Sequence, residues 1–311
     1  MSISAIWRER ACAYDAVVKS YMRLALVPAL AALAACSGSP LPTSTVGPGE
    51  PSATAASPTA TPAPSSDRLA GSFDIGDGQK LYLQCAGSGT PTILLEAGDG
   101  DPGPDHWREV IPGLTAESRT CTYDRLGVGK SSDATGCRQL DDILDDLDAL
   151  LGAAGLEGPY VLVGASGGGF LMAGFAARHP VDVAGMVFVE TPKALTGELY
   201  PDVLPQIACG APGNSEHRDF YAVEHAAWDH RARVGDFALT VISNDYGDTV
   251  EPNTDEATNV EDQRGWFVLS PDSASQIVVT SGHNVASNAP ALVIREILKV
   301  LEAARGAEAA G

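Results

Sequence analysis

The chain has 311 residues, with 40 acidic against 20 basic side chains and a formal charge of −20. Its hydrophobic fraction of 44% is too high for a chain that is disordered throughout, and its length suffices for one large core or two modest ones. The negative surface excludes nucleic acid as a partner, because such binding rests on Lys and Arg neutralising phosphates, and it argues against docking on anionic lipid through a basic patch.

Residues 1–35 read as an export leader. Met22-Arg23 supplies a short basic start, whereas Glu9 and Asp15 interrupt the stretch before it. Leu24 to Ala35 is an apolar run too short to span a bilayer, which takes roughly 20 residues, but suited to a signal-peptide core. It ends in Leu33-Ala34-Ala35-Cys36, which resembles the lipobox of bacterial lipoproteins. That resemblance implies cleavage before Cys36, a lipid on its thiol, and an extracytoplasmic location at the outer face of the cell membrane.

Residues 36–67 form a tether. Between Ser37 and Asp67 only Leu41, Val46, Glu50 and Asp67 fall outside Pro, Ser, Thr, Ala and Gly. Such a segment buries too little apolar area to offset its chain entropy. Of the cysteines, Cys12 leaves with the leader and Cys36 takes the lipid. Cys85, Cys121, Cys137 and Cys209 remain, an even set in an oxidising compartment, either paired in one of three ways or buried as free thiols.

Residues 68–311 alternate strands with helices. Ser72–Ile75 and Lys80–Cys85 flank Gly76-Asp77-Gly78, the chemistry of a tight hairpin turn. Pro91–Glu96 and Thr120–Tyr123 read as buried strands. Leu140, Ile143, Leu144, Leu147, Leu150 and Leu151 share one helical face, opposite an Asp-rich one. Tyr160–Gly164 is a strand and Gly167–Arg178 a helix. Gly185–Glu190, Phe237–Ser243 and Gln276–Thr280 read as further strands, and the last helix follows Pro290. The pattern predicts an α/β fold with a mostly parallel sheet flanked by helices. Residues 193–235 form an excursion between two strands, read as a short lid with a helical stretch.

Gly164-Ala165-Ser166-Gly167-Gly168 fits G-x-S-x-G, preceded by a strand and followed by a helix as that motif requires. Small neighbours let a serine sit on a sharp turn with its Oγ exposed, and the next amide lies at a helix N-terminus that favours a developing oxyanion. The hydroxyl needs a base, and His283, in the loop after the strand Gln276–Thr280, is the best placed. His106 and His179 read as structural. His225 and Asp229 share i,i+4 spacing, but no third ligand follows at a recognisable distance, so no metal is expected. The Gly98–Gly103 stretch matches G-x-G-x-x-G, yet Asp99 and Asp101 would repel a pyrophosphate and Pro102 lacks a donor.

With these residues in place, the sequence resembles the α/β-hydrolase superfamily, in particular a branch carrying C-x-G-x-G-x-P and Y-D-R-x-G-x-G-x-S. Here these motifs run from Cys85 to Pro91 and from Tyr123 to Ser131. The resemblance implies a Ser166–His283–acid triad, with the backbone amides of Gly167 and Asp99 as oxyanion donors. Two carboxylates compete for the third place. Glu190 ends an apolar strand, where some members carry the acid. Asp248 follows the next strand, the commoner location, in a D-x-x-V-P-like stretch that lies one residue further on than usual. Glu190 is favoured, because the loop around Asp248, with Asp245, Glu251, Asp255 and Glu256, reads as a solvated acidic one. The resemblance also implies a Cys85–Cys121 disulfide, which would leave Cys137 and Cys209 to tie a loop to the lid.

The expected activity is hydrolysis of small carboxylic esters, or of thioesters or amides, through an acyl-enzyme and without a cofactor. An aminopeptidase is the rival among enzymes, with Glu198, Glu216 or Glu224 of the lid holding a substrate amine. A non-catalytic surface lipoprotein of the same fold is the rival outside them.

Overall fold

The computed structural model describes residues 68–194, 205, 208–245 and 260–310. The leader, Cys36, the tether, Glu198 and Asp248 lie outside the described residues.

The hairpin comes first. β1 (Leu69–Gly76) and β2 (Gln79–Ala86) pair antiparallel, with Gly76 opposite Gln79. Asp77 and Gly78 make the two-residue turn, both at positive φ (53° and 75°), the geometry that matches the twist of the flanking strands. β3 (Thr92–Glu96), β4 (Thr120–Asp124), β5 (Tyr160–Ala165), β6 (Val183–Val189), β7 (Ala238–Asn244) and β8 (Ala274–Val279) complete an eight-stranded sheet in the order β1-β2-β4-β3-β5-β6-β7-β8. The β2–β4 pairing is antiparallel and all later pairings are parallel.

β3, β4 and β5 are buried at every position, as strands covered on both faces must be. Alternate residues feed two separate cores. Leu94, Leu162, Met186 and Phe188 face α1 (Leu140–Ala154) and α2 (Gly167–Arg178). Ile93, Leu95, Val161, Val163 and Val187 face α4 (Pro290–Ala310), which contributes Val293, Ile297 and Leu301. Each of these buried side chains contributes about 1.5–3 kcal/mol.

α1 buries the leucine face its spacing predicts. Asp142 accepts the Gln139 N–H at 2.8 Å at its start, and Gly155, at φ 63°, ends it in the left-handed conformation. α2 is buried nearly all round, so packing rather than amphipathicity sets its place.

The described part of the excursion holds α3 (Phe220–Asp229), capped by Asp219, whose side chain accepts the Ala222 N–H at 3.0 Å. It is fastened to the body of the domain. Cys137 is bonded to Cys209, and Arg138 bridges to Arg218. Cys85 and Cys121 face each other across β2 and β4 and are bonded as well. The grouping of Cys137, Cys209 and Asp219 is therefore a disulfide beside a helix-capping carboxylate rather than a ligand set.

Candidate active site

Ser166 sits between β5 and α2 at φ 49° and ψ −126°, a conformation an L-residue holds only when its surroundings impose it. Its N–H donates to Val189 O at 2.9 Å, and its carbonyl accepts the Gly169 N–H at 3.0 Å. The glycines are there because nothing larger fits. A Cβ at Gly164 would fall 2.6 Å from Gly169 Cα, one at Gly168 would fall 2.4 Å from Ala97 O, and one at Gly169 would fall 2.1 Å from Thr191 Oγ1.

His283 comes from the loop after β8, 117 residues further along the chain, and places Nε2 3.0 Å from Ser166 Oγ. The Asn244 and Asn288 side chains hold its loop, Asn288 Nδ2 donating to Ser281 O at 2.6 Å. Asn244 Oδ1, at the end of β7, accepts the N–H groups of Ser281 at 2.8 Å and Gly282 at 3.1 Å. The imidazole is densely surrounded although its edge reaches the surface. Burial lowers its pKa to about 4, helped by His106 and opposed by Asp101. It is neutral at neutral pH and able to accept the serine proton.

Glu190 follows β6 and is almost fully buried, at φ 50°. Its N–H donates to Ile242 O at 2.7 Å, and its Oε2 accepts the Asn244 N–H at 2.5 Å. Glu190 thus grips the residue that carries the histidine loop.

The loop Ala97-Gly98-Asp99 is held from behind by Arg125, the arginine of the Y-D-R stretch. Arg125 donates to Ala97 O at 2.9 Å, to Gly98 O at 2.8 Å and to Glu216 at 2.7 and 2.9 Å, and it also pairs with Glu96. Glu216 in turn accepts the Gly100 N–H at 2.7 Å. Burial opposes ionisation of Glu216, but Arg125 and Arg218 prevail and hold its pKa at about 2. Glu216 is therefore a fixed strut between lid and loop, which counts against the amine-holding role considered for it.

Asp99 turns its carboxyl inward. A Cβ on Gly167 would fall 1.8 Å from Asp99 Oδ1, so this carboxyl occupies the space that a side chain at position 167 would need. Arg218, fully buried, donates to it at 2.6 Å. Burial raises the Asp99 pKa and Arg218 offsets part of that rise.

His179 pairs with Asp148 at 2.8 Å, a structural role. His106, also expected to be structural, lies instead beside the nucleophile. Its Cε1 is 3.6 Å from where a Cβ on Gly98 would stand, and that point is 3.5 Å from Ser166 Cβ. Arg218 and Glu216 carried no signal as pillars of the site, being ordinary polar residues in a polar stretch. Arg125 did carry one, through its place in a recognisable motif.

The family model for the alpha/beta hydrolase fold matches residues 91–214. The chain is 34% identical over 104 residues to an uncharacterized Bacillus subtilis protein, YqjL, a stretch covering 33% of this chain and 41% of that one. It is 28% identical over 119 residues to a Shewanella oneidensis cis-3-alkyl-4-alkyloxetan-2-one decarboxylase, covering 37% and 36% respectively. The matches thus span less than half the length of these relatives. A thermophilic esterase from Thermogutta terrifontis superposes with a TM-score of 0.60 at 18% identity, over 76% of this chain and 98% of that one, a likeness of fold alone. Family match, sheet order and nucleophile turn together show that the chain carries the alpha/beta hydrolase fold.

Proposed function

We propose that this protein is a serine hydrolase of small carboxylic esters, with thioesters and amides as related acyl substrates, exported and anchored through a lipid on Cys36. The observation that carries the reading is the 3.0 Å approach of His283 Nε2 to Ser166 Oγ, at a strained turn between strand and helix. His283 takes the serine proton as Oγ attacks the carbonyl carbon. The Gly167 and Asp99 amides stabilise the oxyanion, and water then releases the acyl group with His283 again as base. Glu190 is assigned as the orienting acid on the strength of its burial and its hold on Asn244, with Asp248 as the alternative. A series of phenyl esters of increasing acyl length tests this. Turnover should be saturable and should fall about 10⁴-fold or more in Ser166→Ala. Turnover that survives that substitution would refute it.

A further inference from the structure

Beside the nucleophile stands a second histidine that acyl transfer does not use. His106 closes the helical turn Gly103–His106, and its Nδ1 lies 3.1 Å from Asp101 Oδ2. A neutral ring held this way keeps its proton on Nδ1, because a carboxylate only accepts, and presents Nε2 as a lone pair. That Nε2 is buried and meets no hydrogen-bond partner among the described residues. Native structures keep few such atoms unless something else completes the bond.

Its position says what could complete it. A Cβ on Gly98 would lie 3.5 Å from Ser166 Cβ and 3.6 Å from His106 Cε1, so one small space is walled by the nucleophile on one side and this imidazole on the other. The fold does not demand glycine there. Gly98 has no left-handed φ, and every neighbour of the added carbon would stand at ordinary contact distance. The missing side chain leaves room next to the reacting hydroxyl.

Resting on the ester-hydrolase reading, we propose that His106 Nε2 accepts a hydrogen bond from the substrate, and that the preferred esters carry a hydroxyl or N–H donor next to the scissile carbonyl, as 2-hydroxyacyl and acylamino esters do. The donor occupies the space at Gly98 while the carbonyl faces Ser166, and Asp101 keeps the imidazole in the accepting tautomer. A plain alkyl ester brings no donor to Nε2 and leaves that buried acceptor unpaired, which is how a polar site rejects an analogue without the donor. His106 is a specificity residue and takes no proton in the reaction.

Two matched pairs test this on the full chain: phenyl lactate against phenyl propionate, and phenyl N-acetylglycinate against phenyl 4-oxopentanoate. The donor-bearing member of at least one pair should be favoured about 10-fold or more in kcat/KM, chiefly through KM. In His106→Phe that ratio should collapse towards about one, and Gly98→Ala, which fills the space with a methyl, should lower it too. Labelling of Ser166 by a fluorophosphonate reports separately whether each variant is folded and its serine activated. Should His106→Phe fail to label, Gly98→Ala decides. A labelled wild type that treats both pairs equally, or a ratio that survives both substitutions, overturns this inference and leaves the hydrolase reading intact. Absence of both labelling and turnover overturns the hydrolase reading, and this inference with it.

Discussion

At position 166 the backbone is held at φ 49° and ψ −126° by a β-strand before it and a helix after it, with glycines wherever a Cβ would collide. The motif made this serine legible, because only small residues satisfy such a turn. The acid was not legible, because a carboxylate's role depends on which loop returns to the histidine. With Glu190 as the proposed acid, Glu190→Gln should lower kcat by about 10³–10⁴-fold, the cost of a misoriented imidazole, while Asp248→Asn costs under about 10-fold. The reverse order in steady-state kinetics would move the assignment to Asp248. The low proton affinity of His283 fixes a pH dependence as well. With a pKa of about 4 the base is already neutral above that pH. kcat/KM, which reports the free enzyme, should therefore rise with pH through about 4 and level off before neutrality. An inflection near 6.5, the ordinary histidine value, would contradict the buried environment.

Among the elements, the hairpin and the strand–turn–helix around Ser166 follow from local chemistry, Asp77-Gly78 in one case and the glycines in the other. The order of strands in the sheet does not, since it depends on crossovers between segments far apart in the chain. The oxyanion loop shows the same limit. Ala97-Gly98-Asp99 is recognisable by its place after β3, but what fixes it is a buried lattice of Arg125, Glu216 and Arg218, the last two from the lid. Nothing in the local sequence of Glu216 and Arg218 marks them as buried. Removing Arg125 would leave Glu216 and Glu96 without their shared guanidinium. Arg125→Met should therefore cost about 3–5 kcal/mol in urea unfolding, with a loss of kcat/KM as the loop loosens. Unchanged stability would show that the two carboxylates find other partners or protonate without penalty.

For the whole molecule, the expected leader and tether lie outside the described residues, and the described residues from 68 onward form the sheet and helices that the strand–helix alternation predicts. The charge of −20 is consistent with a surface that avoids anionic partners and would need another means of staying at a membrane. The lipobox-like stretch supplies that means under the account. Cys36→Ser should move the protein from the membrane fraction to the medium or the unprocessed pool without altering ester turnover, and a variant that still sediments with membranes would contradict the anchor.

The most direct test of the central claim is to treat the purified protein with a fluorophosphonate probe and map the adduct by peptide mass. A single modification is expected at Ser166, absent from Ser166→Ala and suppressed in His283→Ala. No adduct, under conditions that label a known serine hydrolase, would contradict an activated nucleophile and leave a binding protein on a hydrolase scaffold.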